Sequence, residues 1–99
     1  MDIEIQAQHS EVHPRWRGII ELRAAKLLAF CKDILHLHVT LVHSTHHVSG
    51  NEEVRLLATV PSTTLRVHKI APGMGDAIHA AFSALERELQ GFVERRRGT

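Results

Sequence analysis

Tyrosine is absent from this chain, tryptophan occurs once and phenylalanine three times. A surface that binds single strands by stacking bases on aromatic rings is therefore not on offer. The single cysteine, Cys31, excludes a disulfide framework; lying in an apolar run, it reads as a buried, inert thiol. No apolar run approaches the length needed to span a bilayer. Met1 is followed by Asp2-Ile3-Glu4, which has neither the charged nor the apolar region of a signal peptide. A protein of a reducing compartment, the cytoplasm, is the expectation. Excess charge is lacking too: 12 Lys and Arg against 11 Asp and Glu leave a formal +1, too little to announce a polyanionic partner. Two details qualify that balance. Most of the basic residues are Arg, the better phosphate ligand, and nine histidines can add positive charge as pH falls.

Catalytic groupings are also missing. There is no Ser/His/Asp or Cys/His set with a route to contact, no phosphate-cradling Gly loop and no carboxylate pair in an evident cleft. His79 sits beside an apolar stripe and reads as a satisfied boundary residue. No catalytic residue, cofactor or small-molecule substrate is assigned, and the chain is not expected to be an enzyme.

What the chain does have is periodicity. Met74, Ile78, Ala81, Phe82, Leu85, Leu89 and Phe92 recur at helical spacing, predicting one amphipathic helix over Pro72–Arg97. Asp76 sits near its positive end, and Arg95, Arg96 and Arg97 near its negative end, before Gly98. A flank of small residues (Ala77, Ala80, Ala84, Gly91) would let a neighbouring helix approach. Asp2–Ala7 alternates strictly and reads as a half-buried strand. After a polar connection, Pro14 opens a second helical stretch to about Lys32, with Trp16, Ile20, Ala24, Leu27 and Cys31 in phase. From Ile34 to His43 the period changes to two, with Leu35, Leu37, Val39 and Leu41 facing one way. A polar loop with a turn signal at Gly50-Asn51 leads to strands at Glu53–Val60 and Thr64–Ile70, separated by a turn at Pro61–Thr63.

The order strand, helix, three strands, helix predicts an α+β fold. A strand–helix–strand crossover makes the first two strands parallel, and short turns make the rest an antiparallel meander. Each strand has one apolar face, so both helices must cover the same side of the sheet. The result is a two-layer βαβββα sandwich with a four-stranded mixed sheet. Its expected core holds Trp16, Ile20, Leu27, Leu37, Val39, Leu56, Ile78, Phe82, Leu85 and Leu89.

With these residues the chain resembles the ribosome hibernation-promoting factor family, which includes the ribosome-associated translation inhibitor also called protein Y. The similarity covers nearly the whole chain. It is most specific in the last helix, at Met74, Ala77-Ile78 and Leu85-Glu86-Arg87-x-Leu89, against a family pattern of the form D-M-x-A-I-D…K-L-E-R-Q-L. Arg17, Arg23, Lys26 and Leu27, then His38-Val39-Thr40-Leu41 and Ala58-Thr59-Val60-Pro61, are similar as well. The resemblance implies a ribosome-binding domain over residues 1–99, of the short form without a C-terminal dimerisation domain. It implies binding to the small ribosomal subunit in the mRNA and tRNA channel, with Lys and Arg on the helical side holding rRNA phosphates and silencing idle ribosomes. A monomeric free form and no membrane partner are expected. Where relatives carry Lys in the last helix, this chain has Ala84, Gln90 and Gly91, and its Arg87, Arg95, Arg96 and Arg97 are balanced by Asp76, Glu86, Glu88 and Glu94. The alternative is an RNA- or protein-interaction module that kept the fold but does not bind the ribosome.

The candidate RNA-binding residues are Arg15, Arg17, Arg23, Lys26, Arg87, Arg95, Arg96 and Arg97. Arg15, Arg23 and Lys26 fall on one flank of the first helix at 100° per residue; an ordinary solvated face is the plain reading of such a grouping. His36-x-His38 places two imidazoles on one strand face, but His68 should lie two strand spacings away, roughly 9–10 Å. The outward residues between (Arg55, Leu57, Thr59) are poor ligands. His43, His46 and His47 could chelate adventitiously, and no metal site is assigned.

Overall fold

The computed structural model describes residues 1–8, 10–43 and 52–97, with Arg97 described by its place in a helix alone. The element order is β1 (Asp2–Gln8), α1 (Pro14–Phe30), β2 (His36–His43), β3 (Glu52–Val60), β4 (Thr63–Ala71) and α2 (Met74–Arg97). The sheet runs β1-β2-β3-β4. β1 pairs parallel with β2, while β2–β3 and β3–β4 are antiparallel. This is the mixed four-stranded α+β sandwich that single-faced strands require. The Gly50-Asn51 turn, the Gly98 stop and the imidazoles of His46 and His47 lie outside the described residues.

Alternation decides which face of each strand is covered. Leu37, Val39 and Leu41 of β2, and Val54, Leu56, Ala58 and Val60 of β3, are buried. Leu65 and Val67 of β4 and Ile5 and Ala7 of β1 pack partly buried around them. From the helical layer α1 contributes Ile20, Ala24 and Leu27, and α2 contributes Met74, Ala77, Ile78, Ala81, Phe82, Leu85, Leu89 and Phe92. Each large side chain so buried stabilises the fold by about 1.5–3 kcal/mol before entropy is counted. Cys31 is buried and unpaired, as its setting predicted.

The helix ends have local causes. His13 caps α1: its Nδ1 accepts from the Arg15 N–H at 3.1 Å, and Pro14 follows where a missing N–H costs nothing. At the other end the Cys31 N–H donates to the Leu27 carbonyl at 2.7 Å and the backbone turns extended. α1 therefore stops at Phe30, two residues before the expected limit. The β3–β4 hairpin closes through Pro61-Ser62, with Val60 paired to Thr63. Ser62 there has φ 71°, the left-handed region that suits the third position of a Pro-initiated turn and is strained for a residue with a Cβ.

Three expectations are corrected. Leu35 is 56% exposed while Ile34 is buried, because the chain is still turning out of α1 through Lys32-Asp33 and the two-residue period begins only at His36. Trp16 is half-buried at the rim of the core, its ring against Gly75, where an added Cβ would touch it at 3.5 Å. The flank of α2 that meets α1 is Gly75–His79–Ser83–Glu86, not the small-residue flank, which lies on the opposite side of the buried stripe.

Candidate nucleic-acid interface

The two helices lie side by side and run in the same direction. Trp16 meets Gly75, Arg23 meets His79, Ser83 and Glu86, and Asp33, just past α1, meets Arg96. At 1.5 Å per residue the α2 axis is about 36 Å long, so the helical layer offers three stations along it. Arg15 and Arg17 mark the N-terminal station, Arg23, Lys26 and Arg87 the middle, and Arg95 to Arg97 the C-terminal one.

At the N-terminal station both arginines are exposed. The Arg15 guanidinium lies 5.5 Å from the Trp16 ring centroid, a cation–π placement. Arg17 projects on the other side of α1, over an apolar groove of about 400 Å³ that it shares with Glu21, Leu28 and the β1 residues Ile3 and Ile5.

The middle station holds the interhelical contact. Arg23 has a side chain only 17% exposed; its Nη2 donates to Glu86 Oε1 at 3.1 Å and to Ser83 Oγ at 3.4 Å. Nη1 lies 2.8 Å from His79 Nδ1. A guanidinium only donates, so Nδ1 accepts and the His79 ring proton sits on Nε2. The same guanidinium rides 5.6 Å from the centroid of Phe82. Arg23 is thus a clamp between helices, and it neutralises Glu86 as it does so. Beside it Lys26 and Phe30 of α1 and Ser83, Glu86, Arg87 and Gln90 of α2 line a shallow groove of about 540 Å³. Lys26 and Arg87 are exposed on its two walls. With Glu86 already paired, this groove presents positive charge.

At the C-terminal station Arg96 pairs with Asp33 and lies 5.5 Å from the Phe92 ring centroid. Gly91 leaves room for the Arg95 guanidinium, which a Cβ there would meet at 3.3 Å. Arg97 belongs to the same last turn. Lys32 is a cation that helical counting missed. Expected at the end of the first helix, it stands two residues beyond Phe30, the last residue of α1, and borders the same depression as Arg96 and Val93. Parallel helices gather both negative dipole ends here, and the basic side chains offset them.

The open face of the sheet is differently made. Arg55 there donates from Nε to Glu53 Oε2 at 2.8 Å, and that hydrogen bond, followed by the charge of Glu53, raises the Arg55 pKa above its ordinary value. Glu53 is itself buried. Of the two arginines that line this face, Arg55 and Arg66, the first is therefore internally matched.

A family described as "Sigma 54 modulation protein / S30EA ribosomal protein" matches residues 3–97. The chain belongs to that family. Its fold recurs in a ribosomal subunit interface protein from Coxiella burnetii, with TM-score 0.83, 16% identity and coverage of 93% of this chain and 97% of that one. The Thermus thermophilus Protein Y N-terminal domain is similar at TM-score 0.81 and 20% identity, with coverage of 93% and 99%. No curated protein matches the chain significantly. No helix among the described residues is long and apolar enough to cross a membrane.

Proposed function

We propose that this protein is a ribosome-associated factor that binds the small subunit in the mRNA and tRNA channel, laying its helical layer on rRNA backbone and silencing idle ribosomes. The observation that carries the reading is the groove walled by Lys26 and Arg87, whose one acidic lining residue, Glu86, is already taken by Arg23. Arg15, Arg17 and the Arg95–Arg97 turn extend the same layer to either side. Family membership supports the ribosome as the partner, and through it the cytoplasm as the location. Phosphate contacts along 36 Å of helix would add up to a salt-sensitive affinity.

Co-sedimentation with isolated small subunits over a range of salt tests this. Lys26→Ala and Arg87→Ala should each lower the slope of log affinity against log salt by about 0.9, the value for one phosphate. The pair should also weaken inhibition of translation. Unchanged slopes in both variants would remove the groove from the interface. The near-balance of charge on α2 favours the second reading, a module that kept the fold and left the ribosome; no sedimentation with subunits even at low salt would establish it.

A further inference from the structure

The open face of the sheet carries a set of donors that the sequence reading left incomplete. His36 and His38 stand two apart on β2, so both imidazoles leave the same face; their ring centroids are 6.3 Å apart at an interplanar angle of 71°. The missing third donor comes from the other side, on β1. The parallel register sets Glu4 opposite His38 and Asp2 opposite His36. Glu4 Oε2 then lies 3.9 Å from His38 Nε2 and 4.0 Å from His36 Nε2. His38 Nε2 is shielded from solvent and has no hydrogen-bond partner, a costly state for an imidazole nitrogen unless something engages it.

We infer that Glu4, His36 and His38 form a binding site for a divalent transition cation of the zinc class, bridging β1 to β2. Two imidazoles and one carboxylate, with a fourth position left for water or for Asp2, match the donor set that zinc accepts and that calcium and magnesium do not. Among the described residues no group of three His, Cys, Asp or Glu side chains stands, as placed, where it could hold a metal ion. Rotation of all three side chains has to close the gap. Tetrahedral ligands about 2.0–2.1 Å from zinc stand roughly 3.3–3.4 Å apart, and the Glu4 side chain, 64% exposed on an edge strand, has the freedom to close from 3.9 and 4.0 Å. The imidazoles must turn toward each other as well, since their ring centroids stand 6.3 Å apart, wider than two rings that share one tetrahedral zinc. Such a cation would tie the N-terminal strand, which pairs on one side only, to the centre of the sheet. His68 takes no part, since β3 stands between β4 and β2.

The test uses the full chain, stripped with chelator and titrated with Co²⁺ as an optical probe, then with Zn²⁺ in competition. One cation per chain should bind, and Glu4→Gln and His38→Gln should each weaken it by at least about tenfold. A variant with His43, His46 and His47 all changed to Gln should bind like the native chain, which separates the site from chelation by the neighbouring histidines. Zn²⁺ should raise the melting temperature of the native chain and not that of Glu4→Gln. Absence of binding at tens of micromolar would overturn the inference. So would native affinity in Glu4→Gln, or loss of binding in the His43, His46, His47 variant. Circular dichroism of each variant establishes that the fold is retained, so weak binding cannot be mistaken for unfolding.

Discussion

The two helices share a layer, a direction and a sheet, yet they are held to it very differently. α2 commits an entire stripe, from Met74 to Phe92, to the interior. α1 commits Ile20, Ala24 and Leu27 and leaves Leu22 68% and Phe30 50% exposed. A helix that buries its whole apolar side advertises its orientation in sequence; one that leaves leucine and phenylalanine in water does not. α2 is the anchor and α1 is docked to it, partly through a side chain, Arg23, that wheel geometry assigns to the outside.

Cavity formation breaks that contrast most sharply. Phe82 is fully buried and also underlies the Arg23 guanidinium, so Phe82→Ala should cost about 3–5 kcal/mol in denaturant unfolding. A loss under 1.5 kcal/mol would mean that α2 is not the anchor. The clamp comes next. Arg23→Met keeps the stem over Phe82 but forfeits the bonds to Glu86, Ser83 and His79, and should cost about 1.5–3 kcal/mol, as lost hydrogen bonds to charged groups do. If Arg23 were instead a free phosphate ligand, its replacement would leave stability alone and change only the salt dependence of binding. Turn strain is smaller: Ser62→Gly should raise stability by up to about 1 kcal/mol, since glycine takes the left-handed conformation without penalty. The smallest effect belongs to the exposed side of α1, where Leu22→Gln should stay within about 0.5 kcal/mol. A larger loss would show that α1 is packed more completely than its exposure implies.

How much of this was legible beforehand depended on the kind of signal. Element order, the parallel first pair and the shared helical face all follow from period and connectivity, and nine of the ten expected core residues are buried with Trp16 at the rim. Arg23 was legible as a cation on a flank but not as a clamp, because a wheel gives the direction of a side chain and not what stands opposite. The Gly75–His79–Ser83–Glu86 flank was passed over for the same reason: small residues suggested a contact surface, and the actual contact is polar. His36 and His38 could be paired from spacing alone. Their partner Glu4 could not, since it depends on register, and a one-residue slip of β1 would turn Glu4 inward and Ile3 or Ile5 out. Lys32 was passed over although the expected helix ran as far as it; it stands two residues beyond the end of α1 at Phe30.

The lone parallel pairing of β1 also has a kinetic meaning. β3 and β4 meet through a two-residue turn and α2 follows directly, so that half of the molecule can form from near neighbours along the chain. β1 must wait for a partner on the far side of α1, at the greater entropic expense of closing a long loop. The expectation is a domain that assembles from its C-terminal half and frays from its N-terminal strand. Native-state hydrogen exchange would display this directly: amides of β1 should open by local excursions well below the global free energy, while those of β3, flanked on both sides, exchange only on complete unfolding. Equal protection of the two strands would mean that the first strand is as deeply committed to the fold as the centre of the sheet.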